Sequence, residues 1–214
     1  MIYFYLILIL IASYLFGAIP WGFVIGKAKG LDIREHGSKN IGATNVTRVI
    51  GKKWGIACFI IDFLKGLIPV IIVEIIFRHC NLQATGYFST AIILASLGAV
   101  FGHMFPVYLG FKGGKGVSTG SGAVIAISPY AAIIGIILWL IVFKLSRYVS
   151  LASIIAAAAV AVFTVLFSNC GIYHINTTLQ IFIVIVVIAV IVKHKSNIKR
   201  LLNGTENKFS KKKK

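Results

Sequence analysis

An all-α, polytopic membrane bundle is the fold class that this chain predicts, and three observations carry the prediction. Of its 214 residues, 58% are hydrophobic and only 13% charged, whereas a soluble domain would be roughly half apolar with about a quarter of its residues charged. Apolar runs recur that approach or exceed the ~20 residues needed to cross a bilayer. The cations are gathered into four polar connections instead of being scattered.

The first run, 2–26, opens with Met1-Ile2-Tyr3-Phe4-Tyr5, has no basic region ahead of it and outlasts a signal-peptide core. It reads as a first transmembrane helix. Runs 54–77, 87–109, 117–130, 131–146, 149–168 and 175–193 follow. Segment 117–130 is short, rich in Gly and Ser, and ends at Ser128-Pro129. If it crosses there are seven spans, and if it does not there are six; seven is the reading adopted. With the N-terminus outside, the connections 27–53, 110–116, 144–148 and 194–214 lie inside and, with Lys193, hold twenty of the twenty-two Lys and Arg residues. Cytoplasmic loops carry the excess of Lys and Arg, which places the C-terminus inside as well. Were 117–130 not a span, Lys144 and Arg147 would face outward. One membrane-embedded domain is expected, with a basic tail from about 194 whose end, Lys208 to Lys214, lies solvated against anionic lipid.

A net charge of +17 would suggest nucleic acid in a soluble protein. In a membrane chain the same excess sets topology and attracts headgroups, so no nucleic-acid partner is expected. Cys58, Cys80 and Cys170 match no CxxC or zinc spacing and read as small buried hydrophobes. A Cys80–Cys170 disulfide is conceivable if both lie near the outer face. The five carboxylates, Asp32, Glu35, Asp62, Glu74 and Glu206, form no cluster suited to a divalent metal. Gly110 to Gly116 fails the Walker A spacing, and no Gly-x-Ser-x-Gly elbow is present. Backbone N–H groups, hydroxyls, amides, imidazoles and cations remain to do the chemistry.

Three stretches concentrate those groups. Gly37-Ser38-Lys39-Asn40-Ile41-Gly42-Ala43-Thr44-Asn45, with Arg48, interleaves glycine with hydroxyl and amide side chains, so that successive N–H groups can point at one oxyanion. Ala43 to Val49 is expected to start a helix there. Seven cations against Asp32 and Glu35 give the 27–53 loop a charge of +5, which favours an anionic ligand over an ordinary polar turn. In the second stretch Lys112 and Lys115 flank Gly113-Gly114, with Gly116 following. Lys115, among glycines, is the better phosphate ligand, while Lys112 is either a ligand or a headgroup anchor. His103 falls in the last turn of its span, as a ligand or as a structural hydrogen-bonding group. In the third stretch His194 and Asn197 share a face if the last span continues as a helix, with Arg200 three residues on. His194 is a base or a phosphate ligand there, against the reading of a solvated basic helix.

Asp62 and Lys65 are one turn apart inside a span, where charges are costly and are paired or functional. They read as a structural ion pair positioning the site. Glu74 is expected to snorkel or pair with Arg78.

The chain resembles the bacterial acyl-phosphate:glycerol-3-phosphate acyltransferases. Gly17-Ala18-Ile19-Pro20 and Asp32 through Asn45 are similar to their first signature, Gly102-His103-Met104-Phe105-Pro106 through Gly116 to their second, and His194 through Glu206 to their third. Asp62-Phe63-Leu64-Lys65-Gly66 fits as well. The family usually has Ser at Ala18 and Gly at Lys39, so Lys39 brings a Cβ and a charge into a tight turn. The resemblance implies an enzyme of the bacterial cell membrane, its active site facing the cytoplasm. It would move an acyl chain from acyl phosphate to the 1-hydroxyl of glycerol 3-phosphate, giving lysophosphatidate and inorganic phosphate. No cofactor and no metal are implied, and the chain is expected to be a monomer among membrane lipid. Ser38, Lys115 and His194 would form the catalytic set. Asn40, Gly42, Thr44, Asn45, Arg48, His103, Lys112, Gly113, Gly114, Gly116 and Asn197 would bind substrate. In that arrangement Ser38, Thr44, Asn45 and Lys115 hold the acyl phosphate, while Arg48, His194 and Asn197 grip the glycerol 3-phosphate. The alternative, a small transporter for an organic phosphate, calls for internal repeats and broken helices at the bilayer midplane. No such repeat is visible.

Overall fold

The computed structural model describes residues 1–209, which form ten α-helices and one 3-10 turn. The helices are α1 (Ile2–Ala18), α2 (Trp21–Ala28), α3 (Ala43–Val49), α4 (Lys52–His79), α5 (Gly86–Met104), α6 (Val117–Ile127), α7 (Pro129–Ser146), α8 (Val149–Asn169), α9 (Thr177–Lys193) and α10 (Lys195–Leu202), with the 3-10 turn at Val107–Leu109. Five stretches are long and apolar enough to cross a membrane: Ile2–Ala28, Lys52–His79, Gly86–Leu109, Pro129–Ser146 and Val149–Asn169. A sixth is reached if α9 and α10, bent by 55° at their junction, count as one span. The run expected as a span at 117–130 is instead the 11-residue α6. At 1.5 Å per residue it extends about 16 Å, roughly half the hydrocarbon thickness, because Ser128-Pro129 starts a new helix with Pro in its first turn.

The chain falls into two compact units, Met1–Ile127 and the part from Ser128 onward. In the first unit the N-terminal span is broken. Pro20 has no N–H to donate and its ring excludes the carbonyl four residues back. So α1 stops at Ala18, and Trp21 N–H turns back to the Ile19 carbonyl at 3.1 Å as α2 begins. Helices α1 and α5 pack through small residues. A Cβ on Gly102 would fall on the Tyr14 carbonyl, and one on Gly17 on the Ala99 carbonyl. Gly98 and Gly102 thus let the backbones approach as in small-xxx-small pairs of membrane helices.

Helix α4 is the spine of this unit. Gly55, Cys58, Asp62 and Gly66 recur every three or four residues and so share one face. Gly55 abuts Thr47 of α3, and Gly66 abuts the Thr119 carbonyl of α6. Cys58 joins a buried apolar cluster with Ile25, Ile33, Ile41 and Val46, onto which Trp54 and Leu109 pack. Asp62 faces His103 of α5. Near the far end of α4, Arg78 pairs with Glu74 at 2.6 Å, the alternative to snorkelling expected of that carboxylate.

The second unit satisfies its polar groups between helices, as a membrane interior requires. Trp139 Nε1 donates to Ser153 Oγ at 3.1 Å, Thr164 Oγ1 to Ser128 Oγ at 3.2 Å, and Gln180 Nε2 to Ser168 Oγ at 2.9 Å. The residues after α10 fold back. Phe209 N–H donates to the Arg147 carbonyl at 3.0 Å, and Lys208 stands over the Tyr148 ring. Lys208, the first residue of the expected solvated end, is exposed, and residues 210–214 lie outside the described residues. The cysteines also depart from expectation: Cys58 is buried, but Cys80 and Cys170 are exposed, and all three are free thiols. Cys80 and Cys170 both sit at helix C-caps, where the chain leaves the apolar packing.

The close approach of α4 and α6 predicts a large effect from one methyl group. Gly66→Ala should lower unfolding stability by about 1–3 kcal/mol through overpacking. Gly86→Ala, where a Cβ meets open space, should be neutral or stabilising by up to about 1 kcal/mol. Thermal unfolding of the two variants in detergent measures the difference.

Candidate active site

The first stretch is a loop clamped by one asparagine. Asn45 is 1% exposed. Its Oδ1 accepts the Ser38 N–H at 2.8 Å, and its Nδ2 donates to the carbonyls of Ile33 at 3.1 Å and His36 at 3.0 Å. Asn45 was expected to touch phosphate directly, but both of its N–H donors are committed inside the loop, so it holds the turn instead. Asn40 is similarly engaged, its Oδ1 accepting the Gly42 N–H at 2.9 Å. The N–H of Lys39 goes to His36 O, and that of Asn45 to Gly42 O. The expected row of N–H groups aimed at one anion therefore narrows. Among the described residues, the N–H groups of Ala43 and Thr44, first in α3, and the hydroxyls of Ser38 and Thr44 have no protein partner.

Lys39 adopts the left-handed conformation at φ 57°, and Gly37 does so at φ 60°. A non-glycine residue there costs about 1–2 kcal/mol, so the turn at Ser38 is strained by the Lys39 side chain. Loop charge is also partly used. Arg34 grips Asp32 with two bonds at 2.7 and 3.0 Å, and Lys27 stands 3.6 Å away. The Arg34 hydrogen bonds hold the Asp32 carboxyl well below the usual carboxylate range.

The second stretch wraps over a buried polar cluster. Lys65 Nζ donates to the Ile19 carbonyl at 2.8 Å and to Asp62 Oδ1 at 3.0 Å, and lies 3.5 Å from His103 Nδ1. Lys65 is 1% exposed, Asp62 2% and His103 5%, so the charges balance within one desolvated group. Ten residues of α4 separate Lys52 from Asp62, a rise of about 15 Å. The double glycine is explained from this side. A Cβ on Gly113 would fall on the His103 carbonyl and Pro106, and one on Gly114 on His103 Nε2. Gly114 N–H also donates to His103 O at 3.0 Å. Sequence reasoning attributed these glycines to close approach by phosphate, but their inner faces are occupied by His103. Gly116 turns the chain into α6 at φ 80°. Lys112 is exposed and Lys115 half-buried. Thr119 Oγ1 is buried without a hydrogen-bond partner among the described residues.

The third stretch belongs to the second unit. The last span does not continue straight through His194, as expected, but ends at Lys193 and bends into α10. His194 sits at the joint, 2% exposed, with Nδ1 2.7 Å from the Val190 carbonyl. A carbonyl only accepts, so Nδ1 carries the proton and Nε2 is the acceptor nitrogen of the neutral ring. Asn197 is buried too, and its Nδ2 donates to Glu206 Oε1 at 2.7 Å. Glu206 also accepts from Ser150 Oγ at 2.8 Å and from Arg200 Nε at 2.7 Å. That hub was missed by sequence reasoning. The available signal was a single carboxylate within the basic segment after the last span. Burial pushes the Glu206 carboxyl up, but the bonds from Asn197, Ser150 and Arg200 and the Arg200 charge together hold it below its ordinary value of 4.5.

Of the two glycine-rich turns, the first packs beside α4 and the second over His103 at the end of α5, and both belong to a bundle of membrane-length helices. A model of the glycerol-3-phosphate acyltransferase family matches residues 7–204. The chain is 46% identical to the glycerol-3-phosphate acyltransferase of Aquifex aeolicus over 94% of its own length and 97% of that protein's. It is 43% identical to that of Acholeplasma laidlawii over 98% and 95%. A crystal structure of PlsY (YgiH), an integral membrane glycerol 3-phosphate acyltransferase, in its glycerol 3-phosphate form superposes with a TM-score of 0.83 at 40% identity, covering 96% of both chains. Its lysophosphatidic acid form gives 0.81 at 40% identity, over 96% of this chain and 95% of that one. The chain belongs to the glycerol-3-phosphate acyltransferase family and is an integral membrane acyltransferase.

Two stability predictions follow from the turns. Because the Glu206 carboxyl is depressed when folded, its contribution is complete above pH ~4.5 and is lost as the pH falls through the folded value. Glu206→Gln should remove about 2–3 kcal/mol at neutral pH, and its melting temperature should respond less to acidification than the wild type's. Lys39→Gly should relieve the left-handed strain and raise stability by up to about 1 kcal/mol, read by thermal unfolding in detergent.

Proposed function

We propose that the chain transfers a fatty acyl group from acyl phosphate to the 1-hydroxyl of glycerol 3-phosphate, giving lysophosphatidate and inorganic phosphate. It does so as a monomer and a single membrane-embedded domain, with its site on the cytoplasmic side of a bacterial cell membrane. The observation that carries this reading is the pair of turns, Ser38–Thr44 beside α4 and Gly113–Gly116 over the end of α5, with their hydroxyls, N–H groups and Lys115. Their likeness to a chain solved with glycerol 3-phosphate and with lysophosphatidic acid supports the substrate class.

Chemically, the hydroxyl oxygen of glycerol 3-phosphate attacks the acyl carbonyl carbon. The bond from that carbon to the phosphate oxygen breaks, phosphate leaves with the electron pair, and the hydroxyl proton passes to a phosphate oxygen. The donor is already activated, so the step consumes no nucleotide and needs no cofactor. Ser38, Thr44 and Lys115 hold the acyl phosphate, assisted by the N–H groups of Ala43 and Thr44, while Lys112 and Gly116 border it. Arg48 grips the second phosphate. Asn40, Gly42, Asn45 and Asn197 act through the loops they hold. The buried Asp62–Lys65 pair positions the Gly113–Lys115 turn. Rate comes from orientation and charge stabilisation.

Purified protein with acyl phosphate, glycerol 3-phosphate and a chelator, but no coenzyme A, should release phosphate in step with lysophosphatidate. A strict requirement for acyl-coenzyme A or acyl carrier protein would overturn the donor assignment. Lys115→Ala should lower kcat/KM by ~100-fold or more. For His194→Gln, a rise in KM at unchanged kcat marks a ligand, and a fall in kcat with binding intact marks a base.

Seven spans, with the N-terminus outside and the C-terminus inside, complete the reading, α6 serving as a half-span. The exposed thiols test it. Cys80 and Cys170 should both react with a membrane-impermeant maleimide added to intact spheroplasts. Labelling of Cys80 alone would mean that α6 does not cross and that the later loops are inverted.

A further inference from the structure

We infer that His103 is a phosphate ligand of one fixed tautomer, presenting an Nε2–H donor to the phosphate held by the Gly113–Lys115 turn. The inference deepens the acyl-transfer reading above and rests on it for the identity of the phosphate.

The tautomer follows from donor and acceptor counting around Lys65. An ammonium has three N–H donors and no acceptor. Lys65 directs one at Ile19 O, 2.8 Å away, and one at Asp62 Oδ1, 3.0 Å away. The remaining polar neighbour is His103 Nδ1 at 3.5 Å, which can take the third N–H only through an unprotonated lone pair. Asp62 Oδ1 lies farther from Nδ1, at 3.7 Å, and already accepts from Lys65. A proton on Nδ1 would set two N–H donors against each other. A second proton, making the ring an imidazolium, would leave the cluster with a net positive charge while all three side chains are at most 5% exposed. In the neutral ring the proton therefore sits on Nε2.

Nε2 points at the turn. It occupies the place where a Cβ of Gly114 would be, one residue before Lys115. Among the described residues no protein group is hydrogen-bonded to it. The ring is held between the Gly114 main chain, which packs directly against it, and Lys65, 3.5 Å from its other nitrogen. The result is a pre-oriented neutral donor beside a lysine, in a site shielded from bulk water, where a hydrogen bond to an ionised phosphate oxygen is strong. It also gives the Asp62–Lys65 pair a chemical task, which is to keep the Nε2 proton in place.

Gln and Asn separate the two ring nitrogens, since the Gln amide nitrogen can reach the Nε2 position and the Asn amide only that of Nδ1. Purified His103→Gln should keep KM for both substrates within about threefold of wild type. His103→Asn should raise KM for one substrate tenfold or more, with melting temperature without ligand like that of His103→Gln. A rise for acyl phosphate places the donor phosphate in the turn, and a rise for glycerol 3-phosphate places the acceptor's there. Equal, wild-type KM values in both variants, or His103→Asn outperforming His103→Gln, would overturn the inference. Nitrogen-15 spectra of histidine-labelled wild-type protein, with the His103 signal identified by its absence from either variant, give a reading independent of turnover. Protonated Nε2 with bare Nδ1 is expected, and protonated Nδ1 refutes the assignment. If wild-type protein fails to acylate glycerol 3-phosphate, the functional reading falls while the tautomer is still tested by these spectra.

Discussion

A single ammonium group, buried deep in the first unit, ties its site together. Lys65 Nζ reaches the carbonyl left at the Pro20 break of the first span, the Asp62 carboxylate one turn below, and the imidazole at the end of α5. An unpaired charge at that depth would be expensive. Matched to three acceptors, at the break after α1, on α4 itself and on α5, it becomes a cross-link with one geometry. Removing any partner leaves a desolvated charge or donor, which is why such groups resist rearrangement.

The two turns inherit their rigidity from that arrangement and from steric contacts that admit no side chain. Gly55 admits Thr47, Gly66 admits the backbone of α6, and Gly114 admits the His103 ring. Asn45 does for the first turn what the Lys65 cluster does for the second, taking up loop N–H and carbonyl groups so that the hydroxyls of Ser38 and Thr44 stay available. In the second unit Glu206 plays the corresponding part, drawing Ser150, Asn197 and Arg200 onto one carboxylate. Most of the amides and acids here thus organise backbone, leaving hydroxyls, imidazoles and lysines to face a ligand. Preorganisation of that kind suits a reaction whose donor arrives activated.

Lys39 shows how a local departure is absorbed. The turn requires positive φ, and the chain adopts it with a lysine, at φ 57°. Asn45 bonds to residues on both sides of that turn, and the summed hydrogen bonds outweigh a strain of about 1–2 kcal/mol.

Composition and run length were enough to read the class: apolar segments of membrane-crossing length force helices, because an isolated backbone in lipid must bond to itself. The signature residues were legible too, since glycine, lysine and hydroxyl side chains in short spacing carry their chemistry locally. What each of them faces was not legible. Asn45, Gly114 and Asn197 looked like ligands in the sequence, yet their partners lie on His36, His103 and Glu206, and only folding sets those distances. The same holds for Lys65, whose deciding partner is a main-chain carbonyl invisible to any reading of side chains. Local pattern determines which segments become helix and which turn. Long-range packing of rigid helices through small residues decides which polar groups remain for a substrate.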